Sequence, residues 1–150
     1  MFWGCLTYGA VGTLTPIEGN INSRKYIEIL DGNLWPVIAK YQQDRPYIFQ
    51  EDNAPVHTSR ETCAWKTQNG INTMNWPPQS PDINIIENVW RTVKIKLQKR
   101  ISQIKTKQDL IDNVLEIWTS LTPTYIKSLY QSLPKRVRAV LAVNGCITKY

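Results

Sequence analysis

Apolar and aromatic residues fill the start of the chain in two short runs, and glycines separate the runs. Residues 2–8 form the first run, Gly9 and Gly12 interrupt the pattern, and residues 11–17 are again strand-like. Short runs of this kind on either side of a glycine turn are typical of paired strands. The pattern therefore predicts an antiparallel β-hairpin.

The apolar period changes after the hairpin, where apolar positions recur every three or four residues. This spacing predicts an α-helix that is capped by Asn22 or Ser23 and runs to about Tyr41. Gly32 and Pro36 lie inside this helix, and a proline removes one hydrogen bond from a helix interior. We therefore expect the helix to be weakened or kinked near them.

A strand, a helix and a second strand are predicted in the middle of the chain. Residues 47–51 form a strand-like run. Thr58 or Ser59 can cap the helix that follows, which ends near Gln68. Residues 71–75 form the second, shorter strand.

The next segment, residues 76–81, contains three prolines and is expected to be an extended loop. A helix follows from about Asn84 to Lys99, because apolar residues form one stripe along it. The stripe comprises Ile86, Val89, Trp90, Val93 and Leu97. Glu87 lies beside this stripe, so it can border the sheet without being enclosed in the core.

The last third of the chain is predicted to be helical. Thr106 and Asp109 have the spacing of a capping box, which predicts a helix to about Ser120. Pro123 and Pro134 each fit the first position of a helix, so two short helices are expected at the end.

The predicted order is strand, strand, helix, strand, helix, strand and helix, followed by further helices. This order predicts one α/β domain of 150 residues, with a mixed sheet flanked by helices. Residues 1–105 are expected to form the sheet-and-helix core, and residues 106–150 a helical C-terminal tail. An antiparallel start followed by strand–helix alternation fits a ribonuclease-H-like sheet whose first strand is missing.

The composition excludes several classes of protein. An apolar fraction of 42% and six tryptophans indicate a packed core rather than a disordered chain. One histidine and three widely spaced cysteines exclude an ordinary zinc cluster, and they indicate reduced thiols in a cytosolic or nuclear setting. No apolar run reaches about 18 residues, so no membrane-spanning helix is expected.

Charge is distributed unevenly along the chain. Residues 1–87 carry six basic and nine acidic side chains, a net charge of −3, and residues 88–150 carry twelve and three, a net charge of +9. Seven basic residues and no acidic residue lie from Arg91 to Lys107. Such a stretch suits a polyanion such as DNA, although a solvated helix face explains it equally well. The candidates for contact with nucleic acid are Arg91, Lys94, Lys96, Lys99 and Arg100.

Two acidic residues are candidates for metal binding. Asp52 ends the strand-like run, and Glu87 opens a helix, with 34 residues between the two. Carboxylate oxygens are ligands that Mg²⁺ prefers, and two such ions can support an in-line displacement at a phosphodiester. Because any globular chain has acids at the ends of strands and helices, the pair alone does not establish a metal site.

The residues around both acids resemble sequence blocks of the mariner-type transposases of the DDE superfamily. Residues 50–59 (QEDNAPVHTS) resemble the second catalytic block, and residues 76–90 (WPPQSPDINIIENVW) resemble the third. The interval of 34 residues is typical of a major branch of this family. Weaker resemblance extends over almost the whole chain.

The resemblance implies a ribonuclease-H-like catalytic domain with three metal-binding acids, of which Asp52 is the second and Glu87 the third. It implies a site for two Mg²⁺ or Mn²⁺ ions, hydrolysis at transposon ends, and joining of the freed 3′-hydroxyl to target DNA at a TA dinucleotide. The expected partners are therefore transposon-end DNA and a TA target, in the nucleus. A homodimer is a further expectation that the sequence leaves open.

The chain departs from the family at its start. The first acid of the family lies on a strand upstream of the hairpin, and nothing here resembles that strand. Asp31 falls inside the first predicted helix and Asp44 in the loop after it, so neither replaces the missing acid. We therefore expect a catalytic domain that lacks its N-terminal part and does not cleave DNA alone. The alternatives are a non-catalytic nucleic-acid-binding or interaction module derived from a transposon, and an inert relic.

Four other residues in the two blocks have more than one interpretation. Asp82 is interpreted as a turn or N-cap residue rather than a metal ligand. His57 is interpreted as a structural residue at a helix start, with DNA contact as the alternative, because paired metals need no histidine base. Asn53 either positions the neighbouring acid or bonds the loop, and Trp76 is a candidate for contact with DNA.

Overall fold

The computed structural model describes residues 1–41, 46–77, 80–146 and 148. Its strands are β1 (Phe2–Thr7) and β2 (Ala10–Pro16). Its α-helices are α1 (Ser23–Tyr41), α2 (Pro55–Thr58), α3 (Arg60–Gln68), α4 (Ile85–Gln98), α5 (Lys107–Thr119) and α6 (Pro123–Ala142). A 3₁₀ turn, Ile101–Gln103, follows α4. Among these helices, none has the length and apolar character that crossing a membrane requires.

The predicted hairpin is confirmed. β1 and β2 pair with each other in a two-stranded sheet. At its open end, Met1 and Ile17 exchange backbone hydrogen bonds of 2.8 and 3.3 Å. Gly9 forms the turn with a φ of +85°, a conformation that glycine adopts without a steric penalty.

Helix α1 is confirmed, and it continues past Pro36 to Tyr41. Its start is capped by Asn22, whose Oδ1 accepts a hydrogen bond of 2.9 Å from the backbone N–H of Lys25. Buried apolar side chains lie on both sides of Gly32. Their packing stabilises the helix across the hydrogen bond that Pro36 cannot donate, because helices in proteins are held mainly by their apolar face.

The two strands predicted at residues 47–51 and 71–75 are much shorter than expected. A single parallel bridge joins Phe49 to Thr73, and the two backbone hydrogen bonds there are both 2.8 Å. Pairing does not extend to Asp52, whose carboxylate accepts a hydrogen bond from the backbone of a turn. The prediction was therefore right about the position of this pair and wrong about its length.

The chain forms two compact units. The first comprises Met1–Trp3 and Thr15–Gln79, and the second comprises Gly4–Leu14 and Ser80–Tyr150. In the first unit α1 packs on α2 and α3, and the buried apolar residues are Ile17, Tyr26, Ile29, Leu30, Leu34, Val37 and Ile71. In the second unit α4 packs on α5 and α6, and the buried apolar residues are Leu14, Ile85, Val89, Val93, Val114, Ile117, Trp118, Leu121, Ile126 and Leu129. Each unit therefore has an apolar core of its own.

Trp118 is the largest buried side chain of the second unit. Its Nε1 donates a hydrogen bond of 2.9 Å to the carbonyl oxygen of Gly12, and its ring lies 5.2 Å from that of Trp90. A Cβ atom at Gly4 would come within 2.9 Å of the Trp118 ring, so a residue larger than glycine would force the ring to move. This packing anchors α5, and through Trp90 also α4, against the hairpin residues of the same unit.

The capping box before α5 is confirmed. Thr106 Oγ1 accepts a hydrogen bond of 3.0 Å from the backbone N–H of Asp109, and the Asp109 carboxylate accepts one of 2.9 Å from the backbone N–H of Thr106. The backbone N–H groups of Lys105 and Thr106 hold the pKa of Asp109 below its usual range. The box closes the start of α5 as the sequence predicts.

Helix α6 is one helix, whereas the prediction of two short helices was wrong. Pro123 lies in its first turn as predicted, but Pro134 lies inside it. Leu129 and Arg136 are buried on either side of Pro134, and Arg136 Nε donates a hydrogen bond of 2.7 Å to Ser132 Oγ. These contacts hold the helix together without the backbone hydrogen bond that proline cannot make.

The three cysteines are free thiols. Cys63 and Cys146 are exposed, while Cys5 is half-buried. Burial raises the pKa of Cys5 to about 11, so its reactive thiolate form is scarce near neutral pH.

Candidate active site

Asp52 lies where the chain leaves the paired segment and turns into α2. Its Oδ1 accepts a hydrogen bond of 3.0 Å from the backbone N–H of Ala54, which closes a turn between side chain and backbone. Pro55 then begins α2, at a position where its missing N–H costs nothing. The Asp52 side chain is 57% exposed, and no described residue hydrogen-bonds its second oxygen, Oδ2.

His57 contacts Asp52 from within α2. Its Nδ1 lies 2.7 Å from Oδ1 of Asp52 and 3.2 Å from the Asp52 carbonyl oxygen. Its ring stacks on the ring of Tyr26, with centroids 4.3 Å apart and planes inclined by 33°. The structural role expected for His57 therefore includes a direct contact with the candidate metal ligand.

Glu51 and Lys66 form a buried ion pair beside Asp52. Their side chains are 9% and 8% exposed, and the Lys66 ammonium also donates to the carbonyl oxygen of His57 at 3.2 Å. Tyr26 donates its hydroxyl to the other oxygen of Glu51. Burial, and next the Glu51 charge, raise the pKa of Tyr26, so the hydroxyl keeps its proton. The network ties the aromatic ring under His57 to the residue next to Asp52.

The sequence leaves open whether Asn53 positions Asp52 or bonds the loop, and the structure distinguishes the two roles. Asn53 Nδ2 donates a hydrogen bond of 2.8 Å to the carbonyl oxygen of Trp76. Asn53 therefore bonds the loop. Trp76 is half-buried, and its contact with DNA stays a prediction.

Glu87 lies in the first turn of α4 and is exposed, as the sequence predicts. A carboxylate is favoured there by the unpaired N–H groups at the start of a helix. Ile85, Val89 and Val93 form the fully buried face of α4. The other predicted stripe residues are half-buried, and they are Ile86, Trp90 and Leu97.

An open cleft of about 450 Å³ lies along the exposed side of α4. Glu87, Arg91 and Lys94 line it together, because residues three and four positions apart share one face of a helix. The other lining residues are Pro81, Asp82, Asn88, Trp90, Ile95 and Gln98. Within the described part of the chain, neither cation has an ion-pair partner at 4.0 Å or less. The cleft thus presents positive charge beside an exposed carboxylate.

Asp82 lies in the turn before α4, as expected, and its carboxylate has a partner within the protein. Its Oδ2 accepts a hydrogen bond of 2.7 Å from the backbone N–H of Thr148. Its carbonyl oxygen accepts one of 3.0 Å from Arg136, which is only 4% exposed. The end of the chain therefore holds the turn that leads to Glu87.

The remaining basic residues expected to contact nucleic acid differ in their surroundings. Lys96 Nζ donates to Ser120 Oγ at 3.3 Å, and Lys99 is exposed at the end of α4. Arg100 makes two hydrogen bonds, of 2.8 and 3.0 Å, to the carboxylate of Glu116. These bonds lower the pKa of Glu116. Arg100 is thus already paired with an acid, unlike the two cations of the cleft.

The donor chemistry of the two candidate acids fits a divalent metal. Asp52 in the first unit and Glu87 in the second are both exposed carboxylates, and their hard oxygens suit Mg²⁺ or Mn²⁺. The described residues include no cluster of three or more His, Cys, Asp or Glu side chains that could hold an ion. Asp31 lies on α1, where its carboxylate accepts a hydrogen bond of 3.0 Å from Trp35, and Asp44 lies outside the described residues.

Three features around Asp52 were missed by the sequence analysis. The short helix α2 has one local signal, Pro55 at its first position. The burial of Glu51 has no such signal, because Glu51 lies outside the single bridge that joins Phe49 to Thr73. Lys66, the partner of Glu51, has none, since the two residues are 15 positions apart and meet only in the folded unit.

Residues 3–111 match the family model described as DDE superfamily endonuclease. The chain is 34% identical over 151 residues to the transposable element Tcb1 transposase of Caenorhabditis briggsae. It is also 34% identical over 152 residues to the transposable element Tc1 transposase of Caenorhabditis elegans. Each alignment covers 100% of this chain and 54% of the relative, so the chain spans about half the length of these curated relatives.

The fold is similar to that of the Mos1 transposase catalytic domain, in a structure with raltegravir and Mn. The TM-score is 0.81 at 16% sequence identity, and the match covers 97% of this chain and 76% of that chain. This likeness confirms the expected ribonuclease-H-like α/β fold. The chain therefore belongs to the DDE superfamily of endonucleases.

Proposed function

We propose that the chain is part of a transposase that cuts and joins DNA with divalent metal ions, and that Asp52 and Glu87 are two of the metal ligands. The observation that carries the proposal is the cleft beside Glu87, where Arg91 and Lys94 supply positive charge. A phosphodiester held through metal ions needs carboxylates for the ions and cations for the remaining phosphate charge. The relatives are transposases of transposable elements, which supports DNA as the substrate.

The proposed cofactor is Mg²⁺ or Mn²⁺ in a two-ion site. The structure of the Mos1 domain with Mn supports the choice of a divalent ion. When bound, such ions activate the attacking oxygen and stabilise the leaving oxygen. Asp52 and Glu87 would supply oxygen ligands, while Arg91 and Lys94 would contact phosphate groups.

Replacing Arg91 and Lys94 together by Ala is expected to weaken binding to duplex DNA and to reduce its salt dependence. If each cation neutralises one phosphate, the slope of log K against log salt becomes shallower by about 2. Fluorescence anisotropy of a labelled duplex over a salt series measures both quantities. The pair Lys135→Ala and Arg138→Ala removes the same charge from the exposed side of α6 and serves as the control. An equal change of slope in the control would show that net charge alone binds the DNA.

A non-catalytic nucleic-acid-binding module is the second candidate, since the basic stretch at residues 91–107 would serve it equally well. DNA affinity would then be insensitive to Mn²⁺, and Asp52→Asn would have no effect on it. The function proposed here instead requires that Mn²⁺ strengthens DNA binding and that Asp52→Asn removes this increase. The same anisotropy assay, with and without Mn²⁺, separates the two candidates.

Cleavage of DNA by these 150 residues alone is not expected, because the family uses three acids and the resemblance supplies two of them. Incubation of a supercoiled plasmid with the chain and Mg²⁺ checks this. Nicking that Asp52→Asn abolishes would contradict it, whereas nicking that survives the substitution would indicate a contaminant. The TA target, the homodimer and the nuclear location stay predictions.

A further inference from the structure

We propose that His57 is a positioning residue, which holds Oδ1 of Asp52 so that Oδ2 is available to a metal ion. This inference rests on the proposed function, because it assigns Asp52 the role of metal ligand. Two nitrogen atoms lie close to Oδ1: Nδ1 of His57 is 2.7 Å away, and the backbone N–H of Ala54 donates a hydrogen bond of 3.0 Å to it. Among the described residues, none donates to Oδ2. The arrangement leaves one oxygen of Asp52 for a further ligand.

The contact determines which nitrogen of His57 carries a proton. A carboxylate can only accept hydrogen bonds, so the contact of 2.7 Å with Oδ1 favours a proton on Nδ1 over a lone pair there. The Asp52 carbonyl oxygen, at 3.2 Å from the same nitrogen, is also only an acceptor. Because the partner of one ring nitrogen sets the tautomer of a histidine, neutral His57 is expected to be protonated on Nδ1.

The ring of His57 is itself held in place by buried groups. Tyr26, on which the ring stacks, is only 2% exposed and donates its hydroxyl to Glu51. Lys66 pairs with the same Glu51 and also donates to the carbonyl oxygen of His57. The His57 side chain is 20% exposed, compared with 57% for Asp52. A restrained ring therefore orients an exposed carboxylate.

Restraining the side chain of a metal ligand increases the affinity of the site for the ion. An exposed Asp side chain that rotates freely must be ordered when an ion binds, and this ordering weakens affinity. Residues that hydrogen-bond a metal ligand fix its orientation, and their loss typically lowers metal affinity about 10–100-fold. His57 would therefore act through Asp52, without touching the metal or the DNA.

The tautomer can be measured directly, because His57 is the single histidine of the chain. Long-range ¹H–¹⁵N correlation spectra of the uniformly labelled wild-type chain, recorded at about pH 8.5 where an ordinary imidazole is neutral, show which nitrogen is protonated. A protonated Nδ1 is the expected result. A proton on Nε2 would overturn the proposal, whatever the metal affinity is.

The effect on the metal is measured by titrating Mn²⁺ into the chain and following the EPR signal of the free ion. His57→Phe keeps an aromatic ring to stack on Tyr26 but removes the donor, and it is expected to weaken Mn²⁺ binding about tenfold. His57→Asn places an amide N–H close to the former Nδ1 and is expected to restore most of the affinity. Thermal melts of both variants establish that each is folded.

The outcomes separate this inference from the proposed function. Wild-type affinity in a folded His57→Phe variant would overturn the positioning role while leaving the metal site intact. If the wild-type chain binds no Mn²⁺ at all, the proposed function fails and the positioning role fails with it. The spectrum of the wild-type chain would still show whether Nδ1 of His57 carries the proton.

Discussion

Lys66→Ala is expected to lower the free energy of unfolding by about 3–5 kcal/mol, because it leaves the Glu51 carboxylate buried without its cation. The two side chains are only 8% and 9% exposed, so water cannot take the place of the ammonium group. The hydroxyl of Tyr26 still donates to Glu51, but one neutral donor does not balance a buried charge. Since a whole domain is stable by only about 5–15 kcal/mol, the variant should be close to unfolding. Urea denaturation followed by circular dichroism measures the change.

Two further variants test whether the loss of stability is specific to the buried ion pair. Lys135→Ala removes an exposed lysine from α6 and is expected to change the free energy of unfolding by less than about 0.5 kcal/mol. Combining Glu51→Gln with Lys66→Met removes both buried charges and is expected to recover much of the lost stability. A loss below about 1 kcal/mol in Lys66→Ala, the value of an exposed ion pair, would contradict a buried pair beside Asp52.

Asp52→Asn and Glu87→Gln are each expected to weaken Mn²⁺ binding at least about tenfold, or about 1.4 kcal/mol. Both substitutions keep the shape of the side chain and remove its negative charge, which is what attracts a hard divalent ion. Loss of a ligand charge should cost no less than loss of a group that only orients a ligand, about 10–100-fold. Titration of Mn²⁺ against each variant, with the EPR signal of the free ion as the readout, gives the affinities.

Acids elsewhere on the surface provide matched controls for this prediction. Asp31→Asn on α1 and Asp112→Asn on α5 remove one exposed charge from the first and the second unit respectively. Neither is expected to change Mn²⁺ affinity by more than about twofold, because isolated surface charges are screened by salt. If all four variants weakened binding equally, the ion would be responding to net charge and not to a site.

Elements that depend on neighbouring residues were predictable from the sequence. The capping box joins Thr106 and Asp109, three positions apart, and the turn of the hairpin requires only the positive φ of Gly9. Helix α1 follows from the period of its apolar residues. In each case the stabilising contact lies within a few residues, so a local pattern contains the information.

A proline shows that local sequence rules do not always predict where a helix begins. Pro134 is predicted to begin a helix, yet it lies inside one that runs from Pro123 to Ala142. The buried residues around it, such as Leu129 and Arg136, belong to the core of the folded unit. Their packing outweighs the local preference of proline, and a sequence window does not report it.

The candidate site was predictable to a similar extent. Asp52 and Glu87 were identified because the residues around them form long, specific motifs. The contacts that support Asp52 were not predictable, because they join residues that are far apart in the sequence. Glu51 contacts Tyr26, which is 25 positions away, and Lys66, which is 15 positions away. Such pairs are set by the packing of α1 on α2 and α3, for which residue spacing gives no signal.

A double-variant cycle of Mn²⁺ affinity tests most directly whether Asp52 and Glu87 serve one metal site. If they do, the losses of binding free energy are coupled. The loss in the Asp52→Asn/Glu87→Gln variant is then at least about 1 kcal/mol smaller than the sum of the two single losses. If the two losses add to within about 0.5 kcal/mol, or if neither substitution changes the affinity, the two acids do not share a site and the proposed function is contradicted.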